Sequence, residues 1–487
     1  MIHVCMAPLP ETAGRAALQG CSRIMLTTPP RYFDRNFETL GREEIQELRD
    51  RLIEDTLAVA RDNHFYSSFY ARAGVDVTRV RRAADLRELP IIRKADILAD
   101  AAKRPPYGTR LATPPESIAN VVESSGTSAA GKEIQALTAS DLQRILDAEQ
   151  VGFVWAGATE GTEVAVNVPV GITAAGYWWN LALHQIGCNT LRLGGMRTEQ
   201  RLGYLKTYGA EQMLIDSHYL RRMTYLAGTY GYGLRHDFPR LKAIFVGGGG
   251  WTDQEAEQWA DEWGAVLYEQ YGSSQRCIAW TCEGGILQHN GRAVVHALPH
   301  HYLLEVVDPV TGKHVAEGED GEIVVTLFGH EAMPLIRYGT GDHARFRTGE
   351  SCPCRRAFDG IEAGSVGRLD DMIRVRGRNL WPEMVDKVVF ARVGVVDYQG
   401  RVWTDQAAGE RLSIRIWTFP EAAAEAGSIA HELKSSLRLT TGLNFDVDTK
   451  PVTAMEIEAA AQAAAKPRRW FDNRGTTSAE PGWPEAL

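Results

Sequence analysis

The middle of this 487-residue chain alternates short apolar runs with helical stretches, and this alternation is its most constraining feature. Runs such as VAVNVPV, LKAIFVGGGG and GAVLYEQYG are separated by segments such as TDQEAEQWADEW, where apolar residues recur at helical spacing. This pattern predicts a mostly parallel sheet covered by helices, because parallel strands need a crossover segment between them. Several runs end in glycine-rich loops, at the strand ends where such sheets place ligands.

Helical periodicity also precedes this region. Apolar residues such as Ile45 and Leu52 predict one amphipathic helix from Arg42 to Tyr70. Ser140, followed three places on by Gln143, fits a capping box and predicts the start of another helix.

The last third contains strand pairs and then a smaller unit. The segment LLEVVDPVTGKHVAEGEDGEIVVTL predicts two strands around a D-P-x-T-G turn. Beyond Gly367 come a strand LSIRIWTF, a helix AEAGSIAHELKSSL and a strand FDVDT. Because the chain exceeds the length of one hydrophobic core, we predict domains at residues 1–367 and 368–487.

Composition narrows the classes of partner. A formal net charge of -9 with 44% hydrophobic residues indicates a globular protein and argues against disorder or a general nucleic-acid binder. Uncharged apolar runs stay too short to cross a membrane. Seven scattered cysteines do not suggest a disulfide framework. We expect a cytoplasmic protein without nucleic-acid or membrane partners.

The stretch VVESSGTSAAGKEIQALT contains a glycine-rich loop. Gly126, Gly131 and Lys132 fit a Walker A loop, but Glu133 replaces its magnesium-binding Ser or Thr, and the following IQAL alternates like a strand. The Ser124–Thr127 segment would wrap a triphosphate with hydroxyls and amides, or form a flexible turn between two strands. These two alternatives stay open on this stretch alone.

Six motifs in order resemble the adenylate-forming superfamily, and within it the phenylacetate-CoA ligase family, over nearly the whole chain. They are SSGTSAAGK, VGGGGWT, YEQYGSSQ, MPLIRYGTGD, GRLDDMIRVRGRNLWP and AAAKPRRWFDNR. The resemblance implies an α/β fold. A large N-terminal domain would hold helix-covered, mostly parallel sheets and a β-barrel-like part, followed by a small mobile α+β C-terminal domain.

The family chemistry needs ATP, Mg²⁺ and coenzyme A. An aromatic carboxylate would attack the α-phosphate of ATP and release pyrophosphate, and the acyl group of the resulting adenylate would then pass to the thiol of coenzyme A with release of AMP. The enzyme would accelerate this reaction mainly by positioning the reactants and by stabilising the negative charge that is spread over the phosphates. Two alternatives remain: transfer to an amine, hydroxyl or carrier protein, and a catalytically impaired binding homologue. The resemblance is also compatible with a homodimer.

The resemblance implies roles for individual residues. Asp342 would bind the ribose, or it is a turn residue. Lys466 would be the catalytic lysine, or part of a solvated basic cluster with Arg468 and Arg469. Arg368 would assist catalysis beside the hinge at Asp370. The predicted nucleotide-binding residues are Ser124, Ser125, Gly126, Thr127, Lys132, Gly247, Gly248, Gly249, Glu269, Gln270, Tyr271, Gly272, Ser273, Asp342 and Arg368, and the predicted coenzyme A tunnel residues are Arg376 and Gly377.

The acid pocket is expected around Trp178 and Ser217, by the same resemblance. Its aromatic side chains would sandwich a ring, or they belong to the core. Polar atoms among them favour an aryl acid with a hydroxyl or amino substituent. The full predicted set is Gly171, Thr173, Tyr177, Trp178, Ser217, His218 and Tyr219.

Three departures from the family pattern bear on activity. Ala129 and Ala130 lengthen the phosphate loop, and Glu133 stands in place of a proline. Gln275 replaces a glutamate that helps to bind magnesium, so the ion would rest mainly on the triphosphate. Glycines at 249 and 250 replace a Glu-Pro pair.

Thiol and imidazole side chains near the domain junction suggest a metal site. Cys282, Cys352 and Cys354, with His289 as the fourth ligand, would form a zinc site. Reduced cysteines without a metal are the alternative.

Overall fold

The structure is a computed structural model that describes residues 31–124, 131–287, 293–405, 409–463, 469–475 and 482–483. The predicted site residues Ser125, Gly126, Thr127, His289 and Lys466 lie outside these ranges.

The elements are numbered in chain order. The helices are α1 Arg35–Glu38, α2 Arg42–Asp62, α3 His64–Ala73, α4 Lys94–Lys103, α5 Ala139–Trp155, α6 Ala174–Ile186, α7 Thr198–Tyr208, α8 Ser217–Thr229, α9 Leu234–Asp237, α10 Asp253–Trp263, α11 Pro382–Val389, α12 Ala426–Thr441 and α13 Ala454–Ala463. The strands are β1 Asn120–Glu123, β2 Ile134–Leu137, β3 Glu163–Val166, β4 Asn189–Arg192, β5 Gln212–Asp216, β6 Ala243–Gly247, β7 Val266–Gly272, β8 Ile278–Thr281, β9 Val294–Ala297, β10 Tyr302–Val307, β11 Asp320–Leu327, β12 Tyr338–Arg347, β13 Gly360–Glu362, β14 Gly367–Arg368, β15 Ile373–Val375, β16 Arg378–Leu380, β17 Val395–Asp405, β18 Gly409–Thr418, β19 Asp446–Pro451 and β20 Trp470–Asp472.

One large sheet dominates the described part of the chain. Its order is β10-β11-β12-β13-β9-β8-β7-β6-β5-β3-β4, with β14 paired to β12. The strands from β4 to β7 are parallel, and those from β7 to β10 pair antiparallel. This arrangement confirms the predicted α/β class and the parallel middle region, and its antiparallel strands continue the same sheet.

The parallel strands are buried on both faces. Along β5, Met213 and Ile215 pack with α7, α8 and α10, whereas Leu214 packs on the other face with α5 and α6. Along β6, Ile244 and Phe245 divide between the faces in the same way. Successive side chains of a strand point to opposite faces, so an uninterrupted apolar run suits a strand covered twice.

A second sheet forms in the C-terminal part with the order β19-β18-β17-β20. The predicted strands and helix of this region are present as β18, α12 and β19. Its hydrophobic cluster runs from Ile373 to Phe445 and includes Leu433 and Leu437 from α12. The division of the chain at residues 367 and 368 stays a prediction, as do the cytoplasmic location and the homodimer. Among the described residues, each helix is too short or too polar to traverse a lipid bilayer.

Two predictions about helices were wrong. The single helix predicted from residue 42 to 70 is broken at Asn63, whose side chain accepts hydrogen bonds from the amides of Phe65 and Tyr66. It therefore caps a new helix, α3. The capping box of α5 consists of Thr138 and Asp141 rather than Ser140 and Gln143. The sequence offers two overlapping boxes here, because Asp141 also stands three residues after a threonine.

Gly152 in α5 provides a test of this packing. A β-carbon added there would overlap the ring of Trp280, which is fully buried, whereas one added at Gly228 in α8 would meet no heavy atom within 4 Å. We expect Gly152→Ala to lower the melting temperature, with a cost of about 1–3 kcal/mol for overpacking. Gly228→Ala should preserve the melting temperature or raise it, because alanine favours helices and adds up to about 1 kcal/mol to the free energy of unfolding. Melting curves of the two variants with similar midpoints would contradict this packing.

Candidate active site

The carboxyl ends of β5, β6 and β7 form one edge of the parallel sheet. The register pairs Asp216 with Gly247, and Val246 with Glu269. The Ser217 hydroxyl donates a hydrogen bond to the carbonyl of Gly249 across this edge. Residues that the sequence predicts to bind the nucleotide and the acid thus lie together at the edge where open α/β sheets bind ligands.

The glycine loop after β6 has a left-handed backbone that favours glycine. Gly248, Gly249 and Gly250 have φ values of 85, 72 and 73°. Proline is confined to φ near -65° and cannot adopt this conformation. The replacement of the family's Glu-Pro pair by glycines therefore accompanies a different local backbone. Arg221 fixes the loop by donating to the Gly250 carbonyl over 3.2 Å.

The serine-rich loop connects the two strands of a hairpin. Ser124 and Glu133 close its base, because the Ser124 amide donates to the Glu133 carbonyl and the Glu133 amide donates to the Ser124 hydroxyl, both at 2.9 Å. IQAL forms β2, which confirms the predicted strand where a Walker A loop would have a helix. The Lys132 ammonium group lies 3.1 Å from the Glu123 carboxylate, so it is paired on the surface.

Glu133 and Gln275, two of the departures from the family pattern, contact each other. The Gln275 amide donates to one Glu133 oxygen over 2.9 Å, and the Tyr338 hydroxyl donates to the other over 2.6 Å. Glu133 is buried. The carboxylate missing at position 275 is therefore present beside it, at position 133.

Asp342 lies at the centre of a second polar group. The Tyr271 hydroxyl donates to one carboxylate oxygen over 2.9 Å, and Arg368 donates to the other over 2.8 Å. Asp342 and Arg368 are direct partners between β12 and β14, and Arg368 also binds Asp370 at 2.9 Å. Burial, and then Asp342, raise the pKa of Tyr271 well above its usual value. The structure thus joins the predicted ribose ligand to the predicted hinge.

The residues predicted for the acid pocket do not form one cluster. Trp178 is only 2% exposed and belongs to the core beside α5. Tyr219 is held by the Thr198 hydroxyl at 2.8 Å and by the Arg201 guanidinium group 4.1 Å above its ring. Gly171 and Thr173 are exposed, and Tyr177 is partly buried.

A buried carboxyl group that the sequence analysis missed lies between α5 and α6. Glu149 accepts hydrogen bonds from the Trp179 indole at 3.0 Å and from the Gln270 amide at 3.5 Å. Burial raises the pKa of Glu149 from its ordinary 4.5 to about 8. The Gln270 amide also lies against Gly272, at the sheet edge described above. Helical spacing alone marks position 149 as buried, but nothing in the sequence indicates its partners.

His218 contacts the C-terminal part of the chain. Arg469 donates to His218 Nδ1 over 2.7 Å and to Asp397 over 2.7 Å, and Asp397 also accepts from Arg222 at 2.9 Å. Burial, and then Arg469 and Arg221, hold the pKa of His218 well below its usual value. Because the Arg469 side chain is only 10% exposed, it does not belong to a solvated basic cluster. Lys466 precedes it by three residues, outside the described range.

The predicted tunnel residues form a tight turn. Arg376 and Gly377 connect β15 to β16 with φ values of 48 and 76°, the left-handed conformation of a two-residue hairpin turn. The Arg376 amide donates to the Glu410 carboxylate over 2.6 Å, and its guanidinium group binds the Glu410 carbonyl. Glu410 therefore holds the turn in its present position.

Three of the predicted metal ligands, Cys282, Cys352 and Cys354, lie together in the structure, and His296 lies beside them. His289, the predicted fourth ligand, lies outside the described residues. Strand pairing decides this, since His296 lies in β9 next to the strand that ends before Cys282.

Comparisons with known proteins agree with this architecture. A family profile described as AMP-binding enzyme matches residues 57–330. Phenylacetate-coenzyme A ligase of Thermus thermophilus is 29% identical over 364 residues, which cover 74% of this chain and 78% of that protein. The enzyme of the same name from Escherichia coli K12 is 23% identical over 428 residues, which cover 84% of this chain and 92% of that protein.

Solved structures share the fold. The 2-hydroxyisobutyryl-CoA ligase in complex with 2-HIB-AMP in the postadenylation state has a TM-score of 0.78 at 20% identity, with 92% of this chain and 94% of that chain covered. Amide bond synthetase McbA from Marinactinospora thermotolerans has a TM-score of 0.51 at 18% identity, with coverage of 70% and 68%.

Glu149 predicts a pH dependence of stability. Its folded-state pKa of about 8 exceeds the ordinary 4.5, so the folded protein retains a proton that the unfolded chain loses between these values. Stability from this group is therefore fully present below pH 4.5 and falls as the pH rises to 8, by up to about 5 kcal/mol. Glu149→Gln should flatten this fall in melting temperature, because an amide does not titrate. The exposed Glu116→Gln is the matched control, and equal slopes for both variants would contradict the assignment.

Proposed function

Because this chain belongs to the AMP-binding enzyme family and is an ATP-dependent, AMP-forming acid–coenzyme A ligase, we propose that its acid substrate is aromatic and carries a hydroxyl or amino group. The observation that carries this proposal is the buried cluster of Glu149, Trp179 and Gln270. It places a neutral carboxyl group and an amide behind the sheet edge where the nucleotide is expected.

Buried polar groups at a binding site favour a ligand that pairs with them. A protonated Glu149 has a hydroxyl that donates and a carbonyl that accepts, so it suits either a phenol or an aniline. Within the described residues, the buried indole N–H of Trp178 also has no hydrogen-bond acceptor. Buried donors without partners are costly, and a ring substituent offers a partner. The aromatic class is further supported by the names of the curated relatives.

The nucleotide is assigned to the other end of the same edge. Asp342 would accept hydrogen bonds from the ribose hydroxyls, with Tyr271 and Arg368 orienting its carboxylate. The loop between β1 and β2 would hold the leaving phosphates through its amides and hydroxyls. Lys466 would neutralise charge between the acid and the α-phosphate, where preorganised cations act most strongly.

In this proposal residues 1–367 bind the nucleotide and the acid, and residues 368–487 deliver Lys466. The second half-reaction would follow rotation about Asp370, which brings the turn at Arg376 and Gly377 towards the adenylate. Rotation has to break the pairs of Asp397 with Arg222 and of Arg469 with His218, because each links the two parts of the chain. A hinge absorbs such a change in a few residues.

An acid panel tests the proposed substrate. Acid-dependent ATP–pyrophosphate exchange, without coenzyme A, should favour hydroxy- and amino-benzoates over benzoate and phenylacetate by about tenfold or more in kcat/KM. Adding coenzyme A should yield AMP and an aryl thioester by mass spectrometry. Lys466→Ala is the negative control and should abolish exchange.

Each other outcome has a defined meaning. Preference for unsubstituted aromatic acids would reject the role of the buried cluster, and preference for aliphatic acids would reject the aromatic class. Acid-dependent exchange without a thioester would indicate a different acceptor. Absence of exchange with every acid would support an impaired homologue.

Magnesium fits the residues between the phosphate loop and Gln275. Mg²⁺ prefers carboxylate oxygens to amides, and the Glu133 carboxylate lies within 2.9 Å of the Gln275 amide. When bound, the ion would neutralise the charge of the phosphates. We propose that Glu133 supplies the carboxylate that Gln275 lacks, while Tyr338 holds that carboxylate in place.

An exchange of side chains tests this proposal. Glu133→Gln should reduce the gain in ATP affinity that Mg²⁺ produces, by about tenfold, because a charged ligand is lost. Adding Gln275→Glu to that variant should restore the gain. Calorimetric titration of ATP with and without Mg²⁺ measures both effects apart from turnover. An unchanged magnesium dependence in Glu133→Gln would contradict the assignment.

A further inference from the structure

Four potential metal ligands converge outside the proposed nucleotide and acid sites. Cys282 follows β8, His296 lies in β9, and Cys352 and Cys354 lie in the connection between β12 and β13. Because β8, β9 and β13 are neighbours in the large sheet, the hydrogen-bond ladder brings these segments together. Their sulfur and nitrogen atoms all lie within 4.8 Å of one another.

The spacing of these atoms suits a single tetrahedral ion. Cys282 Sγ lies 3.6 Å from Cys352 Sγ, and Cys354 Sγ lies 3.5 Å from His296 Nε2. A zinc ion with sulfur ligands at about 2.3 Å requires sulfur atoms about 3.8 Å apart, so these separations already approach the edges of its tetrahedron. A disulfide needs about 2.05 Å between its sulfurs and would use only two of the four groups.

The histidine is oriented as a ligand. Its Nδ1 lies 2.7 Å from the carbonyl oxygen of Phe358, so Nδ1 carries the proton and donates it there. The opposite nitrogen, Nε2, is then the basic atom, and it faces Cys354. Metal-bound histidines usually have such a second hydrogen bond, which fixes both the tautomer and the ring.

Burial supports a metal rather than a chance cluster of thiols. His296 and Cys282 are almost wholly inaccessible to solvent, and Cys352 is buried as well. A closed set of three thiols and one imidazole matches the ligands of structural zinc sites, which leave no position for water. We propose that Cys282, His296, Cys352 and Cys354 bind one structural Zn²⁺ ion. The three thiols release their protons to solvent on binding, and no electron is transferred.

The ion would fasten the sheet to the segment before α2. Glu283 follows one ligand, Arg356 follows another by two positions, and their side chains form an ion pair at 2.7 Å. Arg356 also binds Glu38 in α1 at 2.9 Å, and all three side chains are buried. Fixing the two cysteine segments fixes this ion network, because its members lie next to the ligands in the chain.

Metal analysis of the full-length enzyme tests the site. The enzyme is purified without chelators and without a metal-affinity column. We then expect about one zinc ion per chain, measured by inductively coupled plasma mass spectrometry. Cys354→Ser and His296→Gln should retain less than half of it, and Cys188→Ser, a buried cysteine outside the cluster, should retain all. Zinc loss in the control would overturn the site.

Cobalt gives a second measurement on unmodified protein. The enzyme stripped of metal and titrated with Co²⁺ should develop the d–d and thiolate charge-transfer absorption of a tetrahedral site, saturating at one equivalent. Zinc should displace it and raise the melting temperature. Wild-type enzyme without zinc, and without a cobalt spectrum, would overturn the proposal, as would iron with inorganic sulfide or a disulfide between two of these cysteines. Pyrophosphate exchange is measured separately, so that failure of the proposed function does not decide this site.

Discussion

The double burial of the parallel strands is the constraint from which the rest of the structure follows. β5 and β6 present apolar side chains to two helical layers, so polar groups are excluded along their length and appear only at their ends. Ser217 and the glycines after residue 247 therefore occupy the first positions where the chain can turn and offer hydrogen bonds. A ligand at this edge meets rigid strands below and adaptable loops above, which suits a reaction governed by positioning.

The contact between the two parts of the chain has a different physical character. Asp397, Arg222 and Arg469 form a buried ionic group, assisted by the neutral His218. Charged groups removed from water gain little net stability even when well paired, but they require one defined geometry. Apolar side chains also join the two parts, since Leu226 of α8 packs with Val396, Trp417 and Ile457. The contact therefore combines a buried ionic group, which defines its geometry, with apolar packing.

Sequence reasoning predicted the fold better than the contacts within the site. Apolar runs, glycine punctuation and motif order sufficed for the α/β class, the hairpin around D-P-x-T-G and the strands of the C-terminal sheet, because these depend on local patterns. The contacts of Glu149, Glu133 and His296 were not predicted, because their partners are far away in the chain and depend on the register between strands. Asn63 and Thr138 show the same limit locally, since several residues nearby were equally able to cap a helix.

The departures from the family pattern acquire a common explanation once their contacts are known. Glu133 replaces a proline and Gln275 replaces a glutamate, and because the two side chains are in contact, one carboxylate remains at the base of the phosphate loop. The glycines at 249 and 250 replace a proline-containing turn, yet Ser217 and Arg221 bind their carbonyl groups and hold the new backbone. Loss of function by drift would leave such groups without partners, because nothing would select the second change after the first. Paired replacements that keep charge and hydrogen bonds are those expected of a site that still carries out its reaction.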